Sequence, residues 1–132
     1  MSEADIKRIL EESKTVAVVG LSPREERDSH RVAKYLQSQG YRIIPVNPNA
    51  DEILGERSYP DLVSIPEPID VVDVFRRSEA VPGIVEGAIK VGAGTVWMQE
   101  GVIHEKAAAR AHEAGFQVVM DRCIVIEHRR HF

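Results

Sequence analysis

The chain has 132 residues, 43% hydrophobic and 29% charged, the balance of an ordinary soluble globular protein, and its length is that of one domain spanning 1–132 with a real core. A formal charge of −4 removes the electrostatic case for nucleic acid or an anionic membrane, and no apolar run approaches the roughly 20 residues of a membrane-spanning helix. The single cysteine, Cys123, excludes an intrachain disulfide, and the acidic start Met1-Ser2-Glu3-Ala4-Asp5 lacks the apolar segment of a secretion signal, so a cytoplasmic location is expected.

Apolar runs and helical patterns then alternate. Ser2 is placed to cap a first helix with Ile6, Ile9 and Leu10 on one face. The run Thr15 to Val19 predicts a buried strand. Ser29 predicts the cap of a second helix, with Val32, Tyr35 and Leu36 inward and Gly40 at its end. Arg42 to Val46 predicts a second strand, closed by Asn47-Pro48. The turn-rich stretch 49–68 predicts one short strand or helical turn. Asp70 to Phe75 predicts a strand, and Ser78 opens a helix with Val81, Ile84, Val85, Ala88 and Ile89 on one face. Pro82 falls in its first turn, where proline costs least, and Gly92 ends it. Thr95 to Met98, a helix from about His104 to Ala114, Gln117 to Met120 and a short apolar segment, Cys123 to Ile126, complete the series.

Strands alternating with helices predict an α/β fold, a parallel sheet with right-handed crossovers and helices on both faces. In such a sheet ligands bind at the carboxyl ends of the strands, near the switch point. Five loops are therefore expected on one rim: Gly20-Leu21-Ser22-Pro23, Val46-Asn47-Pro48, Phe75-Arg76-Arg77-Ser78, Met98-Gln99-Glu100-Gly101 and Met120-Asp121-Arg122-Cys123.

The first loop has the stronger chemistry. A buried strand ending in Gly20 and feeding an amphipathic helix presents backbone N–H groups to a phosphate. The turn lacks the second and third glycines of a dinucleotide fingerprint, and the second strand ends in Asn47 where an acid would bond the ribose of NAD. Arg24, Arg27 and Arg31 offer guanidinium groups for phosphate, although Glu25, Glu26 and Asp28 could equally balance them as a solvated face. An adenine nucleotide carrying an extra ribose phosphate fits better than NAD; a nicotinamide-dependent redox enzyme or redox-sensing domain is the alternative. No metal pattern, nucleophile elbow, P-loop or His-Glu-x-x-His is present, and no catalytic residue is assigned. Cys123, beside Arg122, is either an inert thiol or a partner for a ligand thiol in a mixed disulfide.

Five segments carry a resemblance: Val16-Ala17-Val18-Val19-Gly20-Leu21-Ser22-Pro23, Pro45-Val46-Asn47-Pro48, Asp70-Val71-Val72-Asp73-Val74-Phe75-Arg76, Val96-Trp97-Met98-Gln99 and Asp121-Arg122-Cys123. In this order they resemble the small stand-alone CoA-binding proteins, which are similar to the N-terminal CoA-binding domain of the succinyl-CoA synthetase α subunit. The resemblance covers nearly the whole chain. It implies a Rossmann-like, three-layer αβα domain with a mostly parallel, doubly wound sheet of about five or six strands, binding coenzyme A or a short acyl-CoA without transforming it. By position, Gly20, Leu21 and Ser22 would meet the diphosphate and Arg27 the adenosine end. Val46, Asn47 and Pro48 would border the adenosine, Phe75 and Arg76 the pantetheine arm, and Gln99, Glu100 and Gly101 its far end. The phosphorylated histidine of the synthetase comes from a further domain, so ligase activity is not implied. The expected partner is this small molecule, with neither nucleic acid nor membrane; an exposed helix face or the apolar C-terminal segment is where two copies would pair.

Overall fold

Ser2 opens the first helix, α1 (Glu3–Glu12), through a capping box. Its hydroxyl accepts from the Asp5 N–H while the Asp5 carboxylate accepts from Ser2, and Ile6, Ile9 and Leu10 form the buried stripe. The computed structural model describes residues 1–132. After α1 come β1 (Thr15–Val19), α2 (Asp28–Ser38), β2 (Arg42–Val46), a hairpin of β3 (Glu52–Ile53) and β4 (Glu56–Arg57), β5 (Val71–Val74), α3 (Val81–Val91), β6 (Thr95–Met98), α4 (Glu105–Glu113), β7 (Gln117–Val119) and α5 (Ile124–His131).

The five main strands pair in parallel in the order β2-β1-β5-β6-β7. This is a doubly wound α/β sheet, Rossmann-like in its layers. The chain runs from β1 outward to β2, then returns across β1 to β5, so the switch point lies between β1 and β5. Alternate side chains enter opposite layers because the strand period is two. Ala17, Val19, Val72, Val74, Val96 and Met98 meet α3 and α4 on one face. Val16, Val18, Val71 and Trp97 meet α1, α2 and α5 on the other.

Four local expectations are corrected. The second helix begins at Asp28, with Arg27 at the cap position; Ser29 lies inside the first turn, and its Oγ accepts the Ser22 N–H at 3.0 Å. The stretch 49–68 holds two short strands as well as a 3-10 turn at Leu62–Ser64. Leu54 and Gly55, both at positive φ, make the tight hairpin turn that periodicity in so short a segment cannot reveal. Ser78 begins a 3-10 turn, Ser78–Ala80, and the α-helix proper starts at Val81. The apolar segment Cys123 to Ile126 is the opening of α5, whose basic second half hides its helical period.

Candidate functional site

The loop after β1 is built from the chain's own contacts. Gly20 adopts φ +89°, and a β-carbon there would stand 2.3 Å from the Phe75 carbonyl oxygen and 2.9 Å from the Arg76 Cδ. Glycine is required so that the β1 and β5 loops can touch. Its N–H donates to the Val46 carbonyl, and the Ser22 N–H is taken by Ser29. The N–H groups of Leu21, Asp28 and Ser29 donate to no protein acceptor, and the last two head α2, at the positive end of its dipole. Leu21 buries its side chain, and its carbonyl accepts the Asn47 amide at 3.0 Å. Asn47 Oδ1 also accepts the Asn49 N–H, so this side chain ties the β1 and β2 loops together.

Two clefts flank the switch point. The larger, about 910 Å³, lies between α2 and α5 above the ends of β5 and β6; Tyr35, Phe75, Arg76, Gln99, Cys123 and Arg129 are among its lining residues. The smaller, about 430 Å³, is bounded by Val46, Pro48, Leu62, Arg76, Gly83 and Lys90. Arg76 lines both, with its stem against Gly20.

The arginines differ in availability. Arg24 pairs with Glu26 at 2.8 Å, and Arg31 is held by Asp28 and the Glu26 carbonyl. Arg27, Arg76 and Arg77 are exposed and form no ion pair. Arg129 lies over the Tyr35 ring, 4.9 Å from its centroid.

Beneath the larger cleft is a wholly buried carboxyl. Asp73, in the middle of β5, is 0% exposed and flanked in register by Val18 and Trp97. Its Oδ1 accepts the Gln99 Nε2 at 2.5 Å, and its Oδ2 has no partner. Burial lifts its pKa to about 7, against the opposing pull of the Gln99 hydrogen bond.

The family model of a CoA binding domain matches residues 14–129. The chain belongs to this CoA-binding domain family. It is 49% identical over 127 residues to the uncharacterized protein YneT of Bacillus subtilis (strain 168), covering 96% of this chain and 94% of that one. It superposes on a hypothetical protein from Pyrococcus horikoshii OT3 with a TM-score of 0.96 at 43% identity, covering 98% of this chain and 92% of that one. Over 89 residues it is 35% identical to the ADP-forming acetate–CoA ligase I of Archaeoglobus fulgidus; this spans 61% of this chain but 13% of the ligase.

Within this CoA-binding domain the residues expected from sequence divide into three groups. Phe75, Arg76 and Gln99 line the larger cleft, and Val46, Pro48 and again Arg76 the smaller. Gly20, Leu21, Ser22 and Asn47 build the floor of the switch point through backbone and amide bonds. Gly101 and Arg27 line neither cleft: Gly101, at φ +84°, donates its N–H to Asp121 Oδ1 at 2.7 Å, and Arg27 is the cap residue of α2. Sequence reasoning missed Arg129 as a cleft wall because α5 was not recognised, and it placed Tyr35 on the inward face of the second helix without seeing that it also lines the cleft. It also passed over Asp73, although a lone acid within Val71-Val72-Asp73-Val74 was a legible signal.

Glu3, Glu127 and His131 bring ligand-type atoms within 4.8 Å of one another. Arg122 and Arg130 bind both of these carboxylates, so the cluster is an ion-pair clasp joining α1 to α5. No helix is long and apolar enough to cross a membrane.

Proposed function

We propose that residues 1–132 act as one unit that binds coenzyme A, or a short acyl-CoA, across the switch point without transforming it. The observation that carries this is Arg76: an unpaired cation shared by two clefts, with its stem against the Gly20 turn. A dinucleotide-sized ligand with a diphosphate at its middle is matched by a cation placed where two compartments meet. The diphosphate is held by Arg76, the Leu21 N–H and the first N–H groups of α2. The adenosine follows the smaller cleft past Val46 and Pro48, with Arg27 toward its phosphate. The pantetheine arm follows the larger cleft past Phe75 toward Gln99, with Glu100 and Gly101 at its mouth. Gly20, Ser22 and Asn47 hold the loops that shape the site.

Chemical-shift mapping with coenzyme A tests the assignment. Amide shifts at Leu21, Asp28, Ser29, Arg76 and Gln99 are expected. Shifts confined to surfaces away from both clefts would refute it.

A further inference from the structure

A carboxyl oxygen without a partner in the middle of a parallel sheet is costly, because buried polar atoms are otherwise almost always hydrogen-bonded. Asp73 Oδ2 is the one such side-chain atom in this protein. No charged group acts on Asp73; its only polar contact is Gln99. The other titratable groups packed on this side of the sheet or lining the cleft are Asp28, His30, Arg31 and Tyr35 of α2, Tyr41, the loop residues Arg76, Arg77 and Glu100, Cys123 ahead of α5, and Glu127, His128 and Arg129 on α5, and none contributes to its ionisation. Its strand neighbours on this face are Val18 and Trp97, and the Trp97 indole N–H is committed to the Arg122 carbonyl at 2.8 Å.

Gln99 connects this carboxyl to the outside. Its Nε2 donates inward to Asp73, while its Oε1 has no protein partner and is not sealed from solvent, in a residue that lines the larger cleft. The carboxamide therefore has one end on the buried acid and the other on the cleft. A carboxylate can only accept, which turns Nε2 inward and leaves an acceptor, Oε1, facing the cleft. A carboxylic acid keeps an acceptor but adds a proton; when that proton is donated to Oε1 the amide is turned over and the Nε2 donors face the cleft.

We infer that Asp73 is a positioning residue that acts through Gln99, its ionisation deciding whether the floor of the larger cleft accepts or donates a hydrogen bond, and so whether the cleft favours the thiol or the thioester form of a coenzyme A ligand. This rests on the proposed course of the pantetheine arm. A thiol S–H is a donor and pairs with Oε1; a thioester carbonyl is an acceptor and pairs with Nε2. The ionised state selects free coenzyme A and the protonated state selects acyl-CoA. With the carboxyl titrating at about 7, both states are populated near neutrality.

The test is the ratio of the Kd values for coenzyme A and acetyl-CoA, measured by calorimetry from pH 5.5 to 8.5 on the wild-type protein and on Asp73→Asn. One hydrogen bond gained or lost corresponds to roughly a threefold to tenfold change in affinity. The wild-type preference should move toward acetyl-CoA by that factor as pH falls, and Asp73→Asn should show no such movement. A pH-independent ratio in the wild type, or the same movement in Asp73→Asn, would overturn the inference while leaving coenzyme A binding intact. Failure of both ligands to bind at every pH would remove the binding proposal itself. Should the variant not fold, the Gln99 side-chain amide resonances of the wild type decide instead. They must shift with a titration near neutrality, and constant resonances across this range would overturn the inference.

Discussion

A β-carbon on Gly20 would stand 2.3 Å from the carbonyl oxygen of Phe75. The two loops at the switch point are therefore in backbone contact, and the position of Arg76 follows from that contact.

Gly20→Ala should destabilise the fold whether or not ligand is present. The strained positive φ and the clash with main chain together cost about 2–5 kcal/mol. Urea unfolding of the unliganded protein checks this. An unchanged midpoint would mean that the two loops separate at little cost.

Arg76→Ala should leave stability within about 0.5 kcal/mol, because the side chain is exposed and unpaired. It should weaken coenzyme A binding roughly 10- to 100-fold through loss of a charge-assisted phosphate contact. Equal affinities for variant and wild type would place the diphosphate elsewhere.

His128 supplies a pH dependence. Burial holds its pKa below the ordinary value, and its ring accepts or donates at Tyr35 Oη, 2.9 Å away, while stacking on Phe132. The unfolded chain takes up this proton first, near pH 6.5. The contribution of His128 is therefore fully present above about pH 6.5 and is lost as pH falls through its lower folded-state value. Asp73 has the opposite sign. Its raised pKa makes its contribution full below about 3.9, and that contribution is lost as pH rises through about 7. Thermal midpoints between pH 4 and 8 should fall less steeply on acidification in His128→Phe than in the wild type. Asp73→Asn should gain on the wild type as pH rises over the same range. Parallel curves for all three proteins would contradict both assignments.

Glu127→Gln should cost on the order of 2 kcal/mol, because Glu127 is 3% exposed and accepts from both Arg122 and Arg130. Faster amide exchange in α1 should accompany it, since Glu3 shares the same two arginines. Unchanged exchange in α1 would mean that the clasp does not hold the first helix.

Much of this architecture was legible in the sequence. Apolar runs located all five main strands, because strands buried on both faces read as continuous Val, Ile and Ala. Ser2, Gly40, Gly92 and Gly115 marked helix ends through chemistry that needs no tertiary contact. What escaped depends on contacts distant in sequence. Ser29 looked like a cap, but its hydroxyl serves Ser22 across the loop. For Arg24 and Arg31 the sequence left two readings open, phosphate contact or a solvated face balanced by acidic neighbours, and the structure pairs them with Glu26 and Asp28. Gly20 was expected to meet the diphosphate; that Phe75 also approaches it closely, and requires glycine there, is a contact distant in sequence that the turn alone does not announce. Helix α5 was hidden by its run Glu127-His128-Arg129-Arg130-His131, and with it one wall of the larger cleft.

Calorimetry of the ligand-stripped protein with coenzyme A, dephospho-coenzyme A and NAD tests the central claim most directly. Binding of coenzyme A, weaker binding of dephospho-coenzyme A and none of NAD is the result predicted by two clefts joined at Arg76 with further cations toward the ribose phosphate. Binding of NAD with coenzyme A silent would contradict it and return the switch point to a redox nucleotide.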